Sequence, residues 1–526
     1  MGNLDARFLE MLTPQKVIDT FDKLKIGKTD LIPSDDGDVI NLYPGSDDVT
    51  HEMFLTNIIY HTSVICEKGA TGKYKFAPFK EHKIPKPPFT SVDDAIKAGL
   101  EKENENENKF IRVLSMSTIQ DTIFQKLMTD ILDEYADDKF SEYIDLHSFG
   151  YRREKSSKMA VKKIRRLIDS GYCHVLDGDI KGFFDEINHV LLAERMSLFF
   201  GEENILIHKF LYRFLHVARI PPKKMSLYRK NKFEAEKRIK GIPQGGVLSG
   251  LLANVFLFNF DIYVVNHLMP KYGFKYFRYA DDFVLMFKDK THIHEVYELI
   301  RYRLKQNDKL HLHEIGNKTK LLDLSPSKSD RLDFLGFEIS PNRLRIKNDN
   351  IRKFKSRIIQ TLNEIEVDTL DGKLTRDEAF FRVAVRRINN KIVGLEDLIE
   401  QNEGLCLKCC RLIPKRSWIG YFMMVTDVEQ LREIDKMIRV VISRAYKRET
   451  GKNLRKKTMM QHTIAVAEPL KLVAKTYYKY RKQAEKYGDK ICRCERFFDK
   501  ETGTIKVIET ESVDESRKEI TQPLLH

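Results

Sequence analysis

The sequence is poor in cysteine and has no long apolar runs. Seven cysteines among 526 residues are too few for a disulfide framework. No apolar run suggests a membrane span, and the first residues lack the apolar core of a signal peptide. Gly2 could begin a myristoylation signal, but Ala6 occupies the position where that signal needs serine or threonine. These absences lead us to expect a reduced, cytoplasmic protein without membrane association.

The sequence also lacks an acidic surplus. Lysine and arginine number 91 against 77 acidic residues, which gives a formal net charge of +14 and a pI near 9.1. A large basic protein is suited to a polyanionic partner, of which nucleic acid is the commonest. With 42% hydrophobic residues, the chain can bury a sizeable core and form about two to four lobes.

Apolar periodicity predicts a mixed architecture. The spacing at 117–140 and at 158–170 predicts helices, the second one ending at Gly171. The segments 174–180 and 277–287 have the pattern of buried strands. This order of strands and helices predicts an α+β domain around a small sheet.

Three aspartates lie within these apolar strand patterns. Asp179 lies at the end of the first strand, and Asp281 and Asp282 lie inside the second. Buried carboxylates are costly unless they face cations. A tight turn would present the pair at the sheet rim, where Asp179 can face Asp281. Carboxylates from separate strands can then hold two Mg²⁺ ions roughly 3.5–4 Å apart, as nucleotidyl transfer requires.

The tetrapeptide Tyr-Ala-Asp-Asp occurs twice, which provides an internal comparison. The copy at 135–138 falls at the end of the predicted amphipathic helix, so Asp137 and Asp138 are expected to be solvated helix-end charges. Only the copy at 279–282 has a strand pattern on both sides. The surrounding sequence, rather than the tetrapeptide, therefore carries the prediction.

The strings around these aspartates, together with several others along the chain, resemble the motifs of prokaryotic reverse transcriptases and occur in the same order. This branch includes group II intron, retron and defence-associated enzymes. The string DGDIKGFFDEINH at 177–189 resembles the first catalytic motif. The resemblance implies that Asp179 and the carbonyl of Ile180 bind metal. It also implies that Phe184 lies beneath the sugar of the incoming nucleotide and excludes a 2′-hydroxyl. One of Phe183 and Phe184 is expected to belong to the core.

The following motifs support the same resemblance. GIPQGGVLSGLLANVFLFNFD at 241–261 implies a nucleotide contact by Gln244, although Gly250 stands where the family commonly has proline. RYADDFVLMF implies Asp281 and Asp282 as the paired metal ligands. NKTKLL implies that Lys318 approaches the pyrophosphate, as a general acid. FLGFEIS at 334–340 resembles the primer-grip hairpin.

The flanking motifs extend the resemblance to roughly residues 72–450. SFGYR implies that Arg152 contacts the triphosphate, and KFIRVLSM implies that Lys109 and Arg112 do so as well. RSWIGYF at 416–422 resembles a thumb motif. Its Trp418 is expected to anchor packing between thumb helices.

The resemblance implies a right-hand polymerase with fingers, a palm built on a small antiparallel sheet, and a helical thumb. We expect an N-terminal extension at 1–71, fingers at 72–171 with a polar insert near 85–108, and a catalytic palm at 172–345 that includes part of the fingers. A thumb at 346–450 and a basic, mainly α-helical C-terminal extension at 451–526 complete this division.

Two other features admit functional and ordinary interpretations. The basic segment 221–240 is expected to contact the template backbone, with a solvated hairpin or helix pair as the alternative. Five cysteines have loose zinc-like spacing, for which free thiols are the simpler expectation: Cys406, Cys409, Cys410, Cys492 and Cys494.

The expected function is RNA-directed DNA synthesis from dNTP with two Mg²⁺ ions, for which Mn²⁺ could substitute. The expected partners are an RNA template, the DNA product and dNTP; homo-oligomerisation is left open. The first expectation for the biological role is antiviral defence with a dedicated structured non-coding RNA. The alternatives are a group II intron reverse transcriptase or maturase, untemplated or protein-primed synthesis, and a catalytically silent RNA-binding scaffold.

Overall fold

The structure is a computed structural model of the 526-residue chain. It describes residues 3–28, 31–34, 37–40, 45–86, 89, 91–100, 110–153, 155–365, 375–393, 418–454, 470, 473–487, 495–499 and 504–508. The chain divides into two compact units, residues 1–330 and residues 331–526. The polar string 101–108, Lys109 and the five cysteines with zinc-like spacing lie outside the described residues.

The first unit is mainly helical and contains three small sheets, one of which is a two-stranded hairpin. Its helices are α1 (Leu4–Met11), α2 (Pro14–Lys28), α3 (His51–Thr56), α4 (Ile58–Ala70), α5 (Val92–Leu100), α6 (Ile119–Ile144), α7 (Ser157–Asp169), α8 (Phe183–Glu186), α9 (His189–Phe200), α10 (Ile205–Leu215), α11 (Met225–Arg229), α12 (Ser249–Tyr263), α13 (Met269–Tyr272) and α14 (Ile293–Arg303). A short 3-10 turn at Pro222–Lys224 and π-helical turns at Val264–Leu268 and Leu304–Asp308 extend α11, α12 and α14.

The strands of the first unit are β1 (Leu31–Ser34), β2 (Gly37–Ile40), β3 (Phe79–Pro85), β4 (Ile111–Met116), β5 (His174–Gly178), β6 (Arg219–Ile220), β7 (Lys275–Tyr279), β8 (Asp282–Phe287) and β9 (Lys320–Asp323). The palm sheet is antiparallel with the order β7-β8-β5-β9. A second sheet, β4-β3-β6, forms the fingers hairpin. The sequence-based prediction of a small antiparallel sheet is confirmed.

The second unit contains β10 (Leu332–Phe334), β11 (Phe337–Ile339), β12 (Leu344–Ile346), α15 (Asn348–Asn363), α16 (Arg376–Val393), α17 (Trp418–Tyr421), α18 (Val428–Thr450), α19 (Val473–Tyr487), β13 (Glu495–Asp499) and β14 (Thr504–Ile508). The β13–β14 hairpin was not expected in a mainly helical extension. Its signal is the run of β-branched and aromatic residues in RFFD and TIKVI, which favour strands.

The two-unit boundary differs from the expected palm–thumb boundary at 345–346. The β10–β12 sheet belongs with the helices that follow it, because Leu344 N donates to Thr426 Oγ1 at 2.9 Å and Ile346 N to Gln430 Oε1 at 2.8 Å. Apolar contacts agree, since the Phe337 ring lies 5.3 Å from that of Phe422. The primer-grip hairpin is thus built into the second unit.

The N-terminal helices contribute to the core of the first unit. Phe8 of α1 is buried, and its ring lies 5.6 Å from Phe124 and 5.9 Å from Phe210. Asp5 accepts hydrogen bonds from the backbone of Leu206 and Ile207 at the start of α10, at 2.8 and 2.9 Å. The carboxylate satisfies backbone donors that a helix N-terminus leaves free.

One helical stretch is long and apolar enough to cross a membrane, judged by its length and composition alone. No such stretch was predicted from the sequence. Ser249–Tyr272 has 24 residues and a mean hydropathy of 1.3, and 61% of its most apolar window is buried in the structure. It is the only such stretch in the described part of the chain. Its α12 segment packs against the palm sheet: the Phe260 ring lies 6.0 Å from Phe283 and 6.4 Å from Tyr276.

Candidate active site

The three predicted carboxylates lie at one end of the palm sheet. Strands β5 and β8 pair with Gly178 opposite Phe283, so the continued register places Asp179 opposite Asp282. Strands β7 and β8 pair with Tyr279 opposite Asp282, which leaves a two-residue turn containing Asp281. The predicted tight turn at the sheet rim is confirmed.

Ala280, the first residue of this turn, has a left-handed backbone with φ of +58°. A two-residue hairpin turn of this kind matches the twist of its strands at the cost of a positive φ. The turn also packs against Gly150, where an added Cβ would lie only 2.4 Å from Ala280 N. A residue with a side chain at position 150 would therefore displace the turn that carries Asp281.

A buried polar network supports the same turn. Arg278 Nη1 donates to Ala280 O at 2.8 Å and to Asn254 Oδ1 at 3.0 Å, while its Nε donates to Asp261 Oδ1 at 2.8 Å. Asn254 Nδ2 donates onward to Gly150 O at 2.7 Å. The sequence reading noted Asn254 only as part of a motif and missed Arg278 and Asp261. For Asp261, the available signal was a charged residue in the otherwise apolar helix α12; Arg278 lies in strand β7.

The charges of Asp179 and Asp281 influence each other. Burial raises the pKa of Asp281, a backbone hydrogen bond of its own lowers it, and the negative charge of Asp179 raises it further. Arg112 and Arg278 lower the same pKa. Two carboxylates that repel each other in a partly buried site are stabilised by a shared cation.

Asp179 has an oxygen whose hydrogen-bonding capacity is unused. Its Oδ2 is buried and accepts no hydrogen bond, although His313 Nε2 and Lys318 Nζ lie at 3.2 and 3.4 Å. Burial lowers the pKa of His313, Lys318 lowers it further and Asp179 raises it. The Asp179 carboxylate thus faces the ammonium group of Lys318. His313 is a second neighbour, which the sequence did not predict.

These residues fit a divalent metal site that substrate completes. No group of three or more His, Cys, Asp or Glu side chains already converges on a metal position within the part of the chain that the structure describes. Magnesium sites of phosphoryl-transfer enzymes commonly use one or two carboxylates together with substrate phosphates. The orphaned Oδ2 of Asp179 and the raised pKa of Asp281 suit this arrangement.

The backbone contacts on either side of Ile180 set the direction of its carbonyl. Lys181 N donates to His311 O at 2.7 Å and His313 N donates to Asp179 O at 3.0 Å. Because successive residues of an extended chain direct their backbone groups to opposite sides, the carbonyl of Ile180 points away from 311–313, towards the side of β8. The Ile180 side chain is buried.

Three cations converge beside the carboxylates. Burial lowers the pKa of Lys86, and the neighbouring charges of Lys318 and Arg112 lower it further, while Asp185 raises it. Lys86 and Arg112 are close because β3 and β4 pair with Ile84 opposite Arg112. Sequence reasoning missed Lys86 because strand pairing, not sequence spacing, brings it to the site. Like charges held together favour a polyanionic ligand such as a triphosphate.

Phe184 and Gln244 lie near the same cluster. Phe183 is buried and Phe184 is only partly buried, which confirms that one of the two belongs to the core. Gln244 Nε2 donates to Asp185 Oδ2 at 3.2 Å, and the Gln244 carbonyl accepts from Ser115 N at 2.7 Å. These contacts fix Gln244 between the fingers strand β4 and the start of α8.

Arg152 does not fit its predicted triphosphate contact. Its side chain has no exposed surface, and it donates to Asp137 Oδ1 at 2.8 Å and Ser141 Oγ at 3.0 Å. A guanidinium enclosed in this way serves the packing of α6, and the structure does not bring it to the site. The first Tyr-Ala-Asp-Asp copy is corrected too: it lies within α6, and Asp137 is paired rather than solvated.

The other predicted elements have mixed outcomes. Trp418 stacks on Phe354 of α15 with ring centroids 4.1 Å apart, which confirms a packing anchor between thumb helices. The basic segment 221–240 forms a 3-10 turn, α11 and an irregular, largely exposed loop, and its template contact stays a prediction.

The palm sheet, the carboxylates at its rim and the adjacent cations define a polymerase that transfers nucleotides. The family described as "Reverse transcriptase (RNA-dependent DNA polymerase)" matches residues 100–339. Residues 100–339 therefore form a reverse transcriptase domain, which is an RNA-directed DNA polymerase by class. Enzymes of this family use RNA templates and divalent metal ions.

Two curated proteins illustrate the similarity. Protein YkfC of Escherichia coli K12 is 24% identical over 365 residues, covering 63% of this chain and 83% of YkfC. The group II intron-encoded protein LtrA of Lactococcus lactis subsp. cremoris is 31% identical over 161 residues. That alignment covers 31% of this chain and only 24% of LtrA.

Among solved structures, the telomerase of Candida albicans in complex with a fragment of telomeric RNA shows a distant likeness. Its TM-score is 0.37 with 13% sequence identity, over 75% of this chain and 64% of the telomerase chain.

Proposed function

We propose that this protein copies an RNA template into DNA by adding dNTPs to a primer 3′-hydroxyl, with two Mg²⁺ ions at its palm. The observation that carries the proposal is the joint placement of Asp179 and Asp281 at adjacent strand ends, close enough for the charge of one to raise the pKa of the other. Nucleotidyl transfer between polyanions needs such a cation site.

Asp179, Asp281, Asp282 and the carbonyl of Ile180 are the proposed metal ligands. When bound, divalent ions lower the pKa of the attacking hydroxyl and neutralise charge on the phosphates. In the reaction, the 3′-oxygen loses its proton and bonds to the α-phosphorus. The bond between the α-phosphorus and the bridging oxygen breaks, and pyrophosphate leaves.

The remaining site residues bind and orient the nucleotide. Lys86 and Arg112 neutralise the triphosphate, and Lys318 donates a proton to the leaving pyrophosphate. Phe184 lies under the sugar and leaves no room for a 2′-hydroxyl. Gln244 positions the nucleotide, held by its hydrogen bond to Asp185.

Primer extension tests this proposal. Purified protein is given an RNA template with an annealed DNA primer, and separately the primer alone, with dNTPs and Mg²⁺ or Mn²⁺. We expect template-dependent DNA that EDTA abolishes. Extension without template would instead support untemplated synthesis, and a nucleotide–tyrosine adduct in mass spectrometry would support protein priming. No incorporation with either ion would refute the proposal and favour a silent RNA-binding scaffold.

For the biological role, we propose synthesis on a dedicated structured non-coding RNA in antiviral defence. The choice rests on helices α1–α4, which precede the matched domain and bury residues in its core. The rival is a group II intron role, favoured by the similarity to LtrA. Sequencing the RNA that copurifies with the protein separates them: one short non-coding RNA supports the first, and intron RNA supports the second.

A further inference from the structure

Tyr151 has an unusual backbone beside the catalytic turn. Its φ is +53°, a left-handed value that costs an aromatic residue energy, and 53% of the residue is exposed. Asn254 Nδ2 holds this backbone by donating to Gly150 O at 2.7 Å and Tyr151 O at 3.4 Å. Since Gly150 itself packs against Ala280, the strained residue is fixed relative to the turn that carries Asp281.

The Tyr151 ring occupies space that a side chain at position 250 would fill. A Cβ built on Gly250 would lie 2.5 Å from Tyr151 Cγ and 2.9 Å from its Cβ. These atoms are at the base of the side chain, so rotation of the ring cannot relieve the clash. Tyr151 and Gly250 are therefore a matched pair: the ring can take this position only while residue 250 has no side chain.

The ring is directed towards the proposed nucleotide site. It meets the ring of Phe184 edge to face, with centroids 6.5 Å apart and an interplanar angle of 81°. Burial raises the pKa of the Tyr151 hydroxyl, the charges of Asp281 and Asp282 raise it further, and Arg112 lowers it. Tyr151 thus lies among the sugar-excluding residue, the carboxylates and a triphosphate-binding cation.

We propose that Tyr151, with its ring fixed on Gly250, is a specificity-determining residue that forms a second wall of the deoxyribose pocket beside Phe184. This inference rests on the proposed function. An aromatic wall narrows the pocket without touching the reacting atoms, so its loss admits larger sugars and weakens nucleotide binding. The substrate class that it selects is the 2′-deoxynucleoside triphosphate.

Single-nucleotide incorporation on an RNA template tests the role of the ring. The ratio of kcat/KM for dNTP to that for rNTP is measured for wild type, Tyr151→Ala, Tyr151→Phe and the control Tyr212→Ala, an exposed tyrosine on α10. We expect Tyr151→Ala to lose about tenfold in this ratio, mainly through KM for dNTP, as a single pocket contact typically contributes. Tyr151→Phe keeps the ring and should stay within about twofold of wild type, as should the control.

Substitutions at position 250 test the pairing from the other side. Gly250→Ala and Gly250→Pro should displace the ring and reproduce the Tyr151→Ala phenotype, and the double variant Gly250→Ala/Tyr151→Ala should lose no more than either single variant. Independent sites would give multiplied losses. Circular dichroism and Tm establish that each variant is folded. If Tyr151→Ala does not fold, Tyr151→Leu takes its place in both experiments.

Two failures are distinguishable. Wild-type protein that incorporates no nucleotide overturns the proposed function and this inference with it. Wild-type protein that extends primers, while the folded Tyr151→Ala variant keeps its dNTP preference, overturns the inference alone.

Discussion

Arg278 and Asp261 form an ion pair in which neither side chain has exposed surface. Arg278 Nε lies 2.8 Å from Asp261 Oδ1, and Tyr276 donates its hydroxyl to the same oxygen at 2.7 Å. The guanidinium also reaches the carbonyl of Ala280 at 2.8 Å. Helix α12 and strand β7 are thereby linked directly to the turn that carries Asp281, the proposed metal ligand.

Removing Arg278 is expected to destabilise the first unit and inactivate the enzyme. Arg278→Met leaves Asp261 buried without its cation, which typically costs about 3–5 kcal/mol, and it frees the catalytic turn. Urea unfolding and primer extension measure the two effects. Arg432→Met, which breaks an exposed pair with Glu429, is the control with little expected change. Wild-type unfolding and activity in Arg278→Met would contradict this role.

Lys86 is expected to act in nucleotide binding although no sequence motif marks it. Lys86→Gln removes one of three neighbouring cations at the proposed triphosphate position, so KM for dNTP should rise about tenfold with a smaller change in kcat. Steady-state kinetics on an RNA template measures both constants. Lys75→Gln, at an exposed lysine on the same part of the chain, is the matched control. An unchanged KM in Lys86→Gln would remove this residue from the site.

Arg152 is expected to affect stability rather than nucleotide binding. Arg152→Met leaves Asp137, which lies in α6, without its cationic partner. The free energy of unfolding should fall by about 3 kcal/mol or more. The fraction that folds should keep the wild-type KM for dNTP. Activity at a temperature well below Tm gives the kinetic constants. A large rise in KM with unchanged stability would restore the triphosphate contact implied by the resemblance.

Asp121 is expected to make stability depend on pH. Burial raises its pKa from 3.8 to about 7, against hydrogen bonds from the Tyr74 hydroxyl and Ala77 N that lower it. A raised folded pKa means that the folded protein binds the proton more tightly than the unfolded chain. This group's contribution to stability is therefore present at low pH and is lost as pH rises towards 7.

The Asp121→Asn variant isolates this effect. Its Tm and that of wild type are compared at pH 5 and pH 8, so that all other titrating groups are shared. The Tm of wild type, relative to that of the variant, should be higher at pH 5 than at pH 8. A Tm difference that is the same at both pH values would show that Asp121 does not titrate in this range.

The sequence predicted the elements whose pattern is local. The helix at 117–140, the strand before Asp179 and the turn at Asp281 all follow from apolar periodicity or motif context, and the structure confirms them. What it could not provide was contact between distant segments. Lys86 reaches the site through strand pairing with β4, and Arg152 is withdrawn from it by a partner in α6.

The matched pair of Tyr151 and Gly250 shows the same limit. In the sequence, Gly250 was only a departure from a motif, because nothing indicated that an aromatic ring about a hundred residues earlier needs the space. Asp281, in contrast, is marked by an apolar strand on both sides, so its burial and turn position were predictable.

The repeated tetrapeptide provides the most direct test of the central claim. Asp281→Asn and Asp138→Asn make the same chemical change in the second and first copies of Tyr-Ala-Asp-Asp, and Asp138 is exposed on α6. Template-dependent incorporation of dNTP with Mg²⁺ is measured for both. The account predicts a loss of at least about a thousandfold for Asp281→Asn and wild-type synthesis for Asp138→Asn. Undiminished synthesis by folded Asp281→Asn would contradict it.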